Sequence, residues 1–113
     1  MKKKTRLVSA GREKKFTGKM VNPPVARAST VLFDTVAELE HSLKHIHQGE
    51  LSYGRRGTHT TQAFTKAMAE LDGAAGCYAY PCGTAAITSS LLSFVAAGDH
   101  ILVVDSVYEP TRI

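Results

Sequence analysis

Ala75-Gly76-Cys77-Tyr78-Ala79-Tyr80-Pro81-Cys82-Gly83-Thr84-Ala85-Ala86 is the stretch that decides the fold. Its first half is short, apolar and aromatic, bounded by Gly73 behind and Pro81 ahead, and reads as a buried strand from Ala75 to Tyr80. Its second half opens a helix over 82–97, with Ile87, Leu91, Leu92 and Val95 facing inward and Gly98 as the stop. Downstream, Ile101-Leu102-Val103-Val104 is an unbroken apolar run, the pattern of a central strand covered on both faces. Upstream, a helix over 60–71 carries Phe64, Ala67, Met68 and Leu71 on one face and stops at Gly73. The order helix–strand–helix–strand is one crossover unit of a mostly parallel α/β sheet. Two strands do not make a stable sheet alone, so the unit reads as unfinished where the sequence stops at Ile113.

Toward the N-terminus, a further helix is predicted over 35–48. Thr35 and Glu38 form a capping box at its start, Val36, Leu39, Leu43 and Ile46 make one apolar stripe, and Gly49 ends it. Residues 1–30 contain Gly11, Gly18, Pro23 and Pro24 with little periodicity and read as an extended arm. Asn22-Pro23-Pro24 opposes helix through missing donors and a restricted predecessor. Such an arm lies across another surface, in the same chain or in a partner subunit. The loop from Gly49 to Thr58 joins the two N-terminal helices.

The chain has 113 residues, enough for one small domain, with 43% hydrophobic and 21% charged residues, an ordinary globular balance. No run approaches the ~18 apolar residues of a membrane span. The basic start, Met1-Lys2-Lys3-Lys4, leads into no apolar secretory core, so a cytoplasmic location is expected. Cys77 and Cys82, the two cysteines, fit reduced thiols in that compartment. The net charge of +4 invites a nucleic-acid reading. Its excess, however, comes largely from Lys2, Lys3, Lys4, Arg6, Arg12, Lys14, Lys15 and Lys19, with no interleaved aromatics to stack on bases. A solvated basic tail is the simpler meaning, and neither a nucleic acid nor a membrane is expected as partner.

Three places carry candidate chemistry. At Gly83-Thr84, a strand turns into a helix whose first amides lack intrahelical acceptors, and with the helix dipole they suit a phosphate. Gly83 allows close approach to the backbone and Thr84 adds a hydroxyl. Equally, glycine opens many helices for steric reasons alone. No Lys-Ser/Thr pair follows as in a Walker loop, and the spacing is not that of a dinucleotide fingerprint. In Tyr53-Gly54-Arg55-Arg56-Gly57-Thr58, Arg55 suits bidentate phosphate binding and Tyr53 offers a further hydroxyl, against the alternative of an exposed charged turn. Tyr108, in Tyr108-Glu109-Pro110, lies past the C-terminal end of the 101–104 run, where open α/β sheets bind ligands. It is either a ring platform for a planar ligand or an ordinary half-buried tyrosine. His41 and His45 have i, i+4 spacing, with His47 nearby, but no third ligand or adjacent Glu completes a zinc site, so no metal is expected. His59 borders the arginine loop, with no role assigned.

Taken together, Ser9-Ala10-Gly11-Arg12, Phe33-Asp34, Tyr53–Thr58, Pro81–Ala86 and Tyr108-Glu109-Pro110 resemble the N-terminal portion of the Cys/Met-metabolism family of pyridoxal-phosphate enzymes. The resemblance runs from about Thr5 to the last residue. Tyr-Gly-Arg-Arg-Gly-Thr and Cys-Gly-Thr suggest the family's β-lyase branch, whereas γ-lyases and γ-synthases more often show Ser-Gly-Met at the second motif. The resemblance implies an α/β fold, the start of an aspartate-aminotransferase-like (fold type I) large domain, here incomplete. It divides the chain into an arm and helix segment, 1–58, that contacts a neighbouring subunit, and the opening of the cofactor domain, 59–113.

It further implies that Gly83 and Thr84 hold the phosphate of pyridoxal 5'-phosphate. Tyr53 and Arg55 would reach that phosphate from a neighbouring subunit of a homo-oligomer, a dimer of dimers. Tyr108 would stack on the cofactor ring and assist proton transfer. The implied reaction is cleavage of L-cystathionine, a small-molecule substrate, to homocysteine, pyruvate and ammonia, as in methionine biosynthesis. The family's cofactor-anchoring lysine, its acidic partner of the ring nitrogen and its carboxylate-binding arginine fall beyond Ile113. None of Lys2, Lys3, Lys4, Lys14, Lys15, Lys19, Lys44 and Lys66 matches that lysine. The expectation is therefore a fragment or one piece of a split enzyme, inactive and poorly soluble alone. The rival is a non-catalytic module pairing with a longer related subunit.

Overall fold

The computed structural model describes residues 3–112. Met1, Lys2 and Ile113, which the sequence reading puts in the arm and the second segment, lie outside the described residues. Five α-helices occur within them: α1 (Lys3–Ser9), α2 (Lys14–Thr17), α3 (Val36–Lys44), α4 (His59–Asp72) and α5 (Gly83–Leu92). Short 3-10 turns occupy Ile46–Gln48, Gly54–Arg56 and Glu109–Thr111. The chain falls into two compact units, one ending at Cys77 and one beginning at Tyr78.

In the first unit the arm is only partly extended, which corrects the sequence expectation. Its first part is helical, and both α1 and α2 pack on α4. Helices of 7 and 4 residues are too short to display a period, and packing rather than propensity sustains them. Gly11 joins them at φ +70°, and a Cβ there would overlap the Ala63 carbonyl, so a bare backbone lets the α1–α2 corner rest on α4. Phe16 (5% exposed) and Ala63 (4%) are the buried apolar residues of this contact. An ion pair between Glu13 and Lys66 adds a polar tie from the α2 cap to α4. From Pro23 to Ala28 no regular structure forms, as the two prolines require, and this stretch lies against the start of α4 in the same chain.

The capping box of α3 is present. Glu38 N–H donates to Thr35 Oγ1 (3.1 Å), and the Glu38 carboxylate accepts from Asp34 N–H (3.0 Å), one residue before the cap. The α-helix stops at Lys44 rather than 48 and continues as the 3-10 turn Ile46–Gln48. At the junction His45 Nδ1 donates to the His41 carbonyl (2.7 Å), a local bond that competes with regular helix. The predicted stripe of α3 is not a buried face here. Val36, Leu39 and Leu43 are exposed, and the buried residue is Ser42, whose hydroxyl donates to the Leu51 carbonyl (3.1 Å). On α4 the covered face is likewise Ala63 rather than Phe64 and Met68, which are exposed. The small residues sit where the arm approaches closely. Gly73 ends α4 in the left-handed region (φ 70°), its N–H bonded to the Ala69 carbonyl.

Neither predicted strand forms among the described residues. Residues 76–80 and 101–104 have no regular structure, and Leu102 is fully exposed (102%). A strand exists through pairing with another strand, and the isolated antiparallel bridge between Thr30 and Tyr53 is the sole ladder contact described. In the second unit α5 ends at Leu92, short of the predicted 97. Ser90 Oγ and Ser93 Oγ donate back to the Ala86 and Ser89 carbonyls (2.8 and 2.7 Å). These serine bonds add to the helical ones, since Ser93 N–H still donates to the Ser89 carbonyl (3.1 Å), whereas the Asp99 carboxylate accepts from Ala96 N–H (2.7 Å), a donor that a longer helix would use.

Candidate functional site

Tyr53 precedes the 3-10 turn Gly54–Arg56 in the first unit, Arg55 lies inside it, and the two side chains touch. The Arg55 guanidinium lies over the Tyr53 ring, 5.3 Å from its centroid, a cation–π contact that orients both side chains. Tyr53 is extended (φ −161°, ψ 136°) and pairs with Thr30 across the bridge. Arg55 makes no ion pair among the described residues, so its planar set of donors is available to an anion. Gly54 has a physical role that the motif alone does not disclose. A Cβ at this position would overlap the Ala28 carbonyl, and the Gly54 N–H donates to the Ser29 carbonyl (2.7 Å).

Gly83 and Thr84 open α5 in the second unit. The residue before them, Cys82, is extended (φ −156°, ψ 165°) and contributes no side-chain cap, and no acidic residue occupies the first turn. The first helical bond runs from Ala86 N–H to the Cys82 carbonyl (3.2 Å). The amides of Gly83, Thr84 and Ala85 therefore precede the hydrogen-bonded ladder and point at the positive end of the helix dipole. A Cβ on Gly83 would meet nothing within 4 Å, so the space above the turn is open. Tyr108 (66% exposed) is the N-cap of the 3-10 turn Glu109–Thr111, and that turn packs against α5. The elements bearing Gly83, Thr84 and Tyr108 are thus brought into contact within one unit.

Taken unit by unit, these residues carry donors that suit phosphate. Uncapped helix amides, a threonine hydroxyl, a phenol and a guanidinium are all groups that donate to phosphate oxygens. Tyr53 and Arg55 belong to the first unit, and Gly83, Thr84 and Tyr108 to the second.

The histidines do other work. His41 and His45 stack at 4.1 Å between ring centroids, and His59 Nδ1 lies 3.3 Å from Gln62 Oε1. No group of three or more His, Cys, Asp or Glu residues that could hold a metal occurs among the described residues. Two cavities beside α2 and α4, of about 330 and 460 Å³, share Lys15, Phe16, Gln48, Gly49 and Gln62 in their walls and do not include Tyr53 or Arg55.

Sequence reasoning missed Thr60, and used Thr58 only to mark the end of a motif. The hydroxyls of both bind the arm. The available signal was the cluster Thr58-His59-Thr60-Thr61 at a helix start, where a single capping hydroxyl is enough.

Over residues 4–113 the chain matches the family described as Cys/Met metabolism PLP-dependent enzyme. It is 50% identical over 108 residues to a Haemophilus influenzae protein named cystathionine beta-lyase, covering 96% of this chain and 27% of that protein. Proteins of the same name from Salmonella typhimurium (49%) and Escherichia coli (47%, cystathionine beta-lyase MetC) match over the same extents. The chain thus spans about a quarter of the length of these curated relatives.

Proposed function

The chain belongs to the Cys/Met metabolism PLP-dependent enzyme family, and from that membership we propose that it forms part of a carbon–sulfur β-lyase acting on L-cystathionine in the cytoplasm. The products are homocysteine, pyruvate and ammonia. The observation that carries this reading is identity of 47–50% to three bacterial proteins named cystathionine beta-lyase, across nearly the whole chain. The phosphate-type donor set on both units supports it. No helix of the described residues is long and apolar enough to cross a membrane.

Pyridoxal 5'-phosphate, when bound, supplies the electron-withdrawing ring that makes elimination feasible. This chain's residues bind and orient. Gly83 and Thr84 receive the phosphate at the α5 N-terminus, where fixed amide donors need no reorganisation. Tyr53 and Arg55 would add a hydroxyl and a bidentate guanidinium to that phosphate from a neighbouring subunit of a homo-oligomer, a dimer of dimers. Tyr108 would lie against the cofactor ring, and its phenol oxygen would hold or pass a proton during elimination. The same division of labour makes the segment 1–58 a reach toward the neighbour and 59–113 the opening of an aspartate-aminotransferase-like fold type I domain.

The test separates phosphate recognition from ring recognition. The native protein is titrated with pyridoxal phosphate and with pyridoxal, before and after Arg55→Ala. Losing a charge-assisted pair lowers affinity for the phosphate form by roughly tenfold or more, with pyridoxal affinity nearly unchanged. Equal affinities for both ligands in both proteins would remove Arg55 from the site.

A further inference from the structure

The stretch from Pro24 to Thr30 is fastened at both ends to the elements that carry the arginine loop. At one end Ala26 is held at both its backbone groups. Its N–H donates to Thr60 Oγ1 (2.8 Å) and its carbonyl accepts from Thr58 Oγ1 (3.2 Å). Thr60 also donates its own hydroxyl proton to the Pro24 carbonyl (2.6 Å), so that one hydroxyl acts as donor and acceptor at once. At the other end the Ser29 carbonyl accepts from Gly54 N–H (2.7 Å), and Thr30 bridges Tyr53.

Two details show that this fastening is not an incidental consequence of helix capping. Thr58 is the N-cap residue of α4, a position where threonine ordinarily accepts from the helix's own amides. Here its side chain makes no such bond and turns to the arm instead. Gly54, for its part, is not among the glycines with positive φ, so its backbone suits any residue. What excludes a side chain there is the Ala28 carbonyl, against which the loop backbone is pressed. The loop closes its own 3-10 turn through Arg56 N–H to the Tyr53 carbonyl (2.9 Å) and Gly57 N–H to the Gly54 carbonyl (3.0 Å), and the arm braces that turn from one side.

We propose that Thr60 is a positioning residue. By clasping the arm at Pro24 and Ala26 it fixes the Ser29–Thr30 edge, which holds Tyr53 and Arg55 in the conformation that presents their donors to phosphate. The role of Thr60 rests on the reading of Tyr53 and Arg55 as phosphate ligands.

The test uses the native protein and two readouts, amide exchange of the peptide 52–57 and affinity for pyridoxal phosphate. Thr60→Val keeps the shape and removes both hydrogen bonds. Exchange in 52–57 rises about tenfold and affinity falls by a similar factor. Thr60→Ser, which keeps the hydroxyl, behaves as wild type. In an Arg55→Ala background, Thr60→Val costs less affinity than it does in the wild type, because one of the two positioned donors is already gone and Tyr53 alone remains. Should Thr60→Val fold poorly, Gly54→Ala loosens the same edge from the loop side with both threonines intact. Unchanged exchange in Thr60→Val, or losses that multiply in the double variant, overturn the proposal. Arg55→Ala without effect on affinity overturns the phosphate reading instead, and faster exchange in Thr60→Val then still upholds the clasp.

Discussion

Gly11 and Gly54 do similar work at opposite ends of the arm. Each lets one backbone touch another: Gly11 the Ala63 carbonyl on α4, and Gly54 the Ala28 carbonyl. Gly11 also sits at φ +70°, so Gly11→Ala meets both an overlap and an unfavourable backbone. We expect it to lower stability by about 1–3 kcal/mol, read as an earlier midpoint in chemical denaturation with the slope unchanged. The donor chemistry of Tyr53 and Arg55 can be read from their types, because guanidinium and phenol chemistry is local. What braces their loop cannot, since a carbonyl many positions upstream leaves no mark on the motif itself.

Helices α3 and α4 were legible because their signals are also local. A threonine three residues before a glutamate, and a glycine after the last apolar residue, settle where backbone donors and acceptors go. The Thr35 cap has a measurable weight: Thr35→Ala removes the acceptor for Glu38 N–H and should cost about 1 kcal/mol, seen as faster amide exchange in the first turn of α3 with α4 unaffected. The elements that were misread depend on contacts rather than on pattern. Helices α1 and α2 pack on α4, and past the end of α5 the Asp99 carboxylate takes the Ala96 N–H that a longer helix would use. The strand patterns at 75–80 and 101–104 specify apolar, extended chain, but pairing needs partners that the described residues do not offer. The apolar stripes of α3 and α4 followed the helical period correctly and still failed as a guide to burial, because the arm covers the small-residue face of α4.

Each of the two units contributes donors of one kind. The first offers a guanidinium and a phenol on a loop braced by the arm, and the second offers uncapped helix amides beside an element capped by Tyr108. Exposed apolar residues such as Leu32, Phe94 and Leu102 are numerous for so small a chain, and surfaces of that sort mark contact with further protein. What is at stake is whether the assembled protein performs β-elimination. The decisive experiment strips the native protein of pyridoxal phosphate, reloads it, and follows pyruvate and free thiol released from L-cystathionine. The lyase reading predicts equal amounts of both products, formed only after reloading. Cofactor binding without release of either product would contradict it.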